Sequence, residues 1–209
     1  MIQPNTVITG DSLTVLRSMD DESIELLLKN DAWIVPTLAT SYLSWQHIDE
    51  REPWVKEKMS AIEGPKNENL RKAYKAGVTI ACGCDFGGGT ITVHGNNGLE
   101  LPLMVQDIGM TPMEAIVAAT KTGSKLMMRE DELGTLEVGK LADVIIAEGN
   151  PLEDIWLVSK PELIKVVIQD GVVKKNLMKG ITCIKERQRI IDETLSDYGR
   201  QLSLRHVFF

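Results

Sequence analysis

The feature that most constrains the fold is the run Val78-Thr79-Ile80-Ala81-Cys82-Gly83-Cys84, closed by Asp85 and then by Phe86-Gly87-Gly88-Gly89. A segment that is uncharged along its length, with no polar alternation, suits a strand covered on both faces by helices, as in parallel sheets. A second such run, Trp33-Ile34-Val35-Pro36-Thr37, lies upstream and ends in a proline, which belongs at the end of a buried strand rather than in its middle. Between the two, Lys56 to Ala76 is charged, with Met59, Ile62, Leu70 and Tyr74 interspersed. That stretch predicts one or two surface helices, broken near Gly64-Pro65 and stopped by Gly77. Strand, helix and strand in this order imply βα units and an α/β fold with a parallel sheet. The polar and aromatic residues from Ser41 to Trp54 read as a loop long enough to be functional.

The flanks add further elements. Thr6-Val7-Ile8, the Gly10-Asp11-Ser12 turn, and Ile24, Leu27 and Leu28 after Asp20-Asp21 predict strand, turn and helix. Thr111-Pro112-Met113-Glu114 predicts a helix start: Thr111 caps, Pro112 presets φ, and Glu114 returns a hydrogen bond. Met113, Ile116, Val117 and Thr120 then share a face, and Gly123 is expected to end the helix. Beyond Gly134 short β segments are expected: Gly134-Thr135-Leu136, Ala142 to Ala147, and a hairpin from Lys165–Ile168 through Gln169-Asp170-Gly171 to Val172-Val173-Lys174. Ile191, Leu195, Tyr198 and Leu202 predict a terminal amphipathic helix.

Composition narrows the function. With 209 residues, 43% hydrophobic and 25% charged, the chain has the make-up of one soluble domain or two small ones. A net charge of -7 opposes attraction to nucleic acid or an anionic membrane, so neither is expected as a partner. The three cysteines, Cys82, Cys84 and Cys183, make no even disulfide framework, and no apolar span or signal pattern stands out. A reducing, cytoplasmic location is expected.

Asp85 follows a strand directly and precedes flexible glycines. In parallel α/β architectures the C-terminal strand edge is where sites assemble, although a turn or helix-capping aspartate fits the position equally. The glycines are not a P-loop, because the Lys-Ser/Thr pair is missing. His94, in the loop His94-Gly95-Asn96-Asn97, has a side chain suited to binding substrate or reaching a metal, and also to simple solvation. His47 and His206 have no partner at ligand spacing, and three histidines cannot make a histidine-rich zinc site. Cys82 and Cys84 alternate along the strand and are expected to face opposite sides, as core residues rather than chelators. Trp33, Tyr42, Trp45 and Trp54 either line an apolar pocket or pack.

From about Asp20 to Asn176 the chain resembles the amidohydrolase superfamily, in particular its imidazolonepropionase-like and prolidase-like (Xaa-Pro dipeptidase) branch. The motifs are Asp20-Asp21-Glu22, Val35-Pro36-Thr37-Leu38, Ala76-Gly77-Val78 leading to Gly83-Cys84-Asp85, His94-Gly95-Asn96 with Glu100-Leu101, and Gly109 to Ile116. The most specific is Gly134-Thr135-Leu136-Glu137-Val138-Gly139-Lys140-Leu141-Ala142-Asp143-Val144-Ile145, followed by Asn150-Pro151-Leu152. The resemblance implies the C-terminal part of a (β/α)8 metal-dependent hydrolase barrel plus a small β-sandwich portion. Residues 1–19 are left as an atypical N-terminal segment, and 20–130 fall in a partial barrel with its last two strands. Residues 131–178 fall in the composite sandwich and 179–209 in a helical tail. The resemblance implies zinc or another divalent metal, with Asp85 as ligand and as acceptor of the attacking water's proton. His94 and Tyr42 are placed at the substrate, a small amide such as a dipeptide or cyclic amide.

The departures are equally specific. The family's first-strand His-x-His, bridging lysine, and fifth- and sixth-strand histidines have no match, and the last of these would fall near Val15. Asn5 to Ile24 resembles instead the stretch preceding the Asp-Pro-Pro-Tyr motif of DNA amino-methyltransferases, but Asn30-Asp31-Ala32-Trp33 stands where that motif belongs. The expectation is therefore a truncated amidohydrolase, inactive alone or completed by a homo-oligomer or complementing chain. The alternatives are a noncatalytic assembly module and, more weakly, a methyltransferase fragment.

Overall fold

The computed structural model describes residues 21–178 and the dipeptide Val207–Phe208. The expected N-terminal strand and turn, Cys183, His206 and the terminal amphipathic helix lie outside the described residues. Helix α1, Asp21–Lys29, opens on two acidic residues that suit the positive end of the helix dipole, and it buries Ile24 against Ala73 and Val78.

The two apolar runs do lie side by side. Ile34 N–H donates to Thr79 O at 2.9 Å and Ala81 N–H donates to Ile34 O at 3.0 Å, a parallel bridge between Ile34 and Ile80. Both runs therefore deliver their C-terminal ends to one edge. Gly83 makes this closeness possible, since a Cβ there would sit 2.6 Å from Val35 Cγ1.

The segment expected to be a functional loop is instead helical. Helix α2 spans Leu38–Gln46, and a 3-10 turn, Ile48–Glu50, follows it. The expected break at Gly64-Pro65 is also absent: helix α3 runs unbroken over Pro53–Lys75 with Pro65 inside. An interior proline removes a hydrogen bond and costs about 3 kcal/mol. Burial of Leu70 at 5% and Ala73 at 0% exposure, on a face pressed into the core, offsets that cost. Gly77, at φ 94, stops the chain just beyond the helix as expected.

Helix α4, Glu100–Leu103, continues through a π turn, Met104–Ile108, and helix α5, Pro112–Val117, begins on the Thr111 cap. Thr111 Oγ1 accepts from Glu114 N–H at 3.3 Å and Glu114 Oε2 accepts from Thr111 N–H at 2.7 Å, a complete capping box. The buried face of α5 is Ala115 and Ile116, continued by Ala118; Met113 and Val117 are exposed, which corrects the expected stripe. The chain does not stop at Gly123 either. A π turn, Ala118–Thr122, shifts the register and leads into α6, Gly123–Leu126, with Gly123 at an ordinary helical φ of -58. The demanding glycine is Gly134, at φ 86, where any Cβ would collide with the Ser124 side chain. It brings the loop back onto α6.

Gly134-Thr135-Leu136 forms a bend and irregular backbone rather than a strand. The sheet has the order β3-β2-β1-β4, with β1 Val144–Ala147, β2 Ile164–Gln169, β3 Val172–Asn176 and β4 Val207–Phe208. β2 and β3 form the expected hairpin, with Asp170 at φ 50 and Gly171 at φ 70 in the turn. Two positive φ values in succession match the twist of the flanking strands, and Asp143 Oδ1 clamps the turn by accepting from Asp170 N–H at 2.7 Å. Val144, Val166 and Ile168 form this sheet's own small core. A larger core, including Leu38, Leu70, Ile80, Leu103 and Met104, lies under the parallel strand pair.

Candidate active site

The edge where the two parallel strands end carries two left-handed residues that are not glycine, Thr37 at φ 47 and Asp85 at φ 52. Such backbone persists only where surrounding contacts hold it, and it concentrates at functional sites. The contacts are visible. Thr40 Oγ1, on the first turn of α2, hydrogen-bonds to the carbonyl oxygen of Cys84 and lies 3.2 Å from that of Asp85. The Asp85 side chain is exposed at this rim.

The following loop folds back over the same rim. Thr92 Oγ1 donates to Gly88 O at 2.8 Å, closing the glycine turn. His94 is exposed, and its Nε2 lies 3.9 Å from where a Cβ on Gly88 would stand. Asn97 fastens the loop at both ends: its Nδ2 donates to Cys84 Sγ at 3.0 Å and its Oδ1 accepts from Gly95 N–H at 3.0 Å. The structure thus brings the His94 loop to the residue preceding Asp85. Tyr42 sits on α2 and packs, half-buried, against the main core. Two of its fellow aromatics face solvent instead: Trp54 is 60% exposed under the Lys58 ammonium, 5.5 Å from the ring centroid, and Trp45 is exposed on α2.

Cys82 and Cys84 do not face opposite sides. Residues two apart in extended chain project to one face, and both thiols pack against the main core. Burial pushes the Cys82 thiol up to about 12, and the nearby charges of Glu100 and Cys84 add to this. A thiol raised this far is poorly suited to act as a nucleophile. His47 Nδ1 lies 3.0 Å from Glu50 Oε1 in a surface pair. Among the described residues no group of three His, Cys, Asp or Glu side chains could hold a metal ion.

The residues assigned no role of their own from the sequence are Thr40, Asn97 and above all Glu100. Glu100 is fully buried, and its carboxylate accepts from Leu38 N–H at 2.8 Å and Ala39 N–H at 2.7 Å. Burial raises its pKa, against the lowering effect of those two hydrogen bonds and of the Lys66 charge. Its signal was an acidic residue fused to the apolar Leu101-Pro102-Leu103-Met104 run, where a surface helix would place the charge outside.

With this geometry in hand, the comparisons with known proteins agree. The amidohydrolase family pattern matches residues 5–174, reaching into the stretch likened to DNA methyltransferases. Ochratoxinase of Aspergillus niger is 35% identical over 168 residues, 78% of this chain and 34% of that protein. Imidazolonepropionase of Symbiobacterium thermophilum is 37% identical over 76 residues, 36% of this chain and 18% of that enzyme. Among solved structures, a Xaa-Pro dipeptidase with methionine bound in its active site superposes with a TM-score of 0.66 at 37% identity. That match covers 76% of this chain and 38% of the dipeptidase. The chain belongs to the amidohydrolase family, with an α/β fold. It spans about a third of the length of ochratoxinase. No helix among the described residues is long and apolar enough to cross a membrane.

Proposed function

We propose that the chain is the part of an amide-hydrolysing enzyme that carries the last two strands of a (β/α)8 barrel and a portion of the adjoining β-sandwich, with Asp85 as its reacting carboxylate. The observation that carries this is the parallel pairing of Ile34 with Ile80, which sets Asp85 at the rim shared by both strand ends. In this reading residues 20–130 belong to the barrel and 131–178 to the sandwich.

An exposed carboxylate at such a rim is placed to accept a proton from water as the water adds to an amide carbonyl, after which the C–N bond breaks and the amine leaves protonated. His94 and Tyr42 border the substrate. Relatives named for a dipeptide and for a cyclic imidazolone favour a small amide. The described residues do not by themselves make a site for zinc or another divalent ion, since Asp85 belongs to no group of three His, Cys, Asp or Glu side chains among them. The remaining ligands come from a complementing chain or segment.

The test is to produce the chain with the N-terminal part of the related dipeptidase and to follow hydrolysis of Xaa-Pro dipeptides. Hydrolysis that Asp85→Asn reduces at least a thousandfold is expected. Undiminished hydrolysis by that variant overturns the role of Asp85. One equivalent of zinc bound tightly by the chain alone, and lost in Asp85→Asn, overturns the need for a complement.

A second reading, a noncatalytic assembly module, is favoured by the strand pair itself: Val35 is 40% exposed beside a sheet edge that another chain can extend.

A further inference from the structure

We propose that Glu100 is a positioning residue for Asp85. By fixing the first turn of α2 it holds the Thr40 hydroxyl against the carbonyls of Cys84 and Asp85, and thereby fixes the backbone from which the Asp85 carboxylate projects. The inference rests on reading Asp85 as the reacting carboxylate.

The first link is the helix start. Thr37 precedes α2 in left-handed backbone and gives no side-chain cap, so the leading N–H groups have no local acceptor. Glu100 takes two of them, one on each carboxylate oxygen, from a position 61 and 62 residues further along the chain. A leucine would fill a fully buried position with less desolvation, so packing alone does not explain a carboxylate there. Lys66, 9% exposed, lies in the same buried region, and its Nζ donates to Ser41 Oγ at 2.7 Å, tying the same turn of α2 to α3.

The second link is one residue away. With Leu38 and Ala39 held, the position of Thr40 is set, and its hydroxyl meets the two carbonyls on either side of the Cys84–Asp85 peptide. Asp85 is left-handed at φ 52, a conformation that relaxes once its carbonyl anchor is lost. The second strained residue of the rim, Thr37, leads directly into the turn that Glu100 holds. One buried carboxylate therefore governs both strained ends of the paired strands, without touching the reacting group.

Backbone nitrogen-15 relaxation on the full chain tests this without requiring activity. In the wild-type chain, order parameters at residues 84–87 of about 0.85 are expected. Glu100→Gln lowers those of residues 38–40 and 84–87 below about 0.6, while residues 166–168 of β2 stay rigid. Thr40→Val lowers residues 84–87 alone, and Thr40→Ser restores them. In the complemented enzyme Thr40→Val lowers kcat about tenfold with KM within about twofold, and Thr40→Ser recovers it. If Glu100→Gln loosens α2 but leaves residues 84–87 rigid, or if Thr40→Val changes nothing, Glu100 is only a helix cap and the proposal falls. Should Glu100→Gln fail to fold, the Thr40 pair decides. Asp85→Asn separates the two readings: if it keeps full hydrolysis while the relaxation results hold, the relay stands and the catalytic reading of Asp85 falls.

Discussion

Glu100 Oε2 accepts a hydrogen bond of 2.7 Å from the Ala39 backbone N–H, joining the head of one helix to the head of another across the core. Replacing Glu100 with Leu keeps the volume and strands two buried N–H donors. A loss of about 2–4 kcal/mol of unfolding free energy is expected, read from urea denaturation.

The same residue sets a pH dependence. Burial raises the Glu100 pKa in the folded chain above its ordinary value, so the unfolded chain gives up this proton first. Its contribution is therefore fully present below the ordinary glutamate range and lost as pH rises through the raised folded value. Between those limits the wild-type chain should lose thermal stability relative to Glu100→Gln, and the two curves should run parallel above them.

Glu114 behaves oppositely. Hydrogen bonds from the Thr111 side chain and backbone, with one from Tyr74, hold its carboxyl below the usual range. That contribution is present above the ordinary glutamate value and disappears as pH falls through the folded one. Thr111→Ala should cost about 1 kcal/mol at neutral pH, with a smaller difference from wild type in acid.

Asp85 carries a backbone requirement separate from the chemistry proposed for it. At φ 52, Asp85→Asn should leave stability within about 0.5 kcal/mol, because asparagine accepts left-handed backbone. Asp85→Val should lose about 1–2 kcal/mol, since a branched Cβ opposes it. Calorimetry on the two variants checks this independently of any assay.

Cys82 should be nearly inert. With its thiol pushed up to about 12, the thiolate fraction at pH 8 is about a thousandfold below that of a free cysteine. Iodoacetamide labelling followed by peptide mass mapping should show Cys82 unmodified until the chain is unfolded.

What was legible in the sequence was local. The Asp170-Gly171 turn needs only its own two positive φ values, and the Thr111–Glu114 box closes within four residues, so both could be read from neighbours in the chain. The side-by-side placing of the two apolar runs was legible because an uninterrupted apolar run has few other uses, but only the second is buried at Val78 and Ile80, while Val35 of the first is exposed. Helix α2 was not, because the group that caps it lies 61 residues downstream. The continuity of α3 through Pro65 was hidden for a related reason: its stabilising contacts are with the core, while the break signal is local. At the candidate site, Asp85 stood out by following a strand. Thr40, Asn97 and Glu100 did not, since each acts on backbone or sulfur atoms that only the folded chain brings near.

The pairing of Ile34 with Ile80 also has a direction. Parallel neighbours cannot be joined by a tight turn, so each further parallel strand must arrive by a crossover or from a separate molecule. A newcomer running the same way as these two brings its own C-terminal end to the rim where Asp85 stands, whereas one running the opposite way brings its N-terminal end there. The pair thus has a polarity: only strands that travel in its own sense add their C-terminal ends to the rim of Asp85.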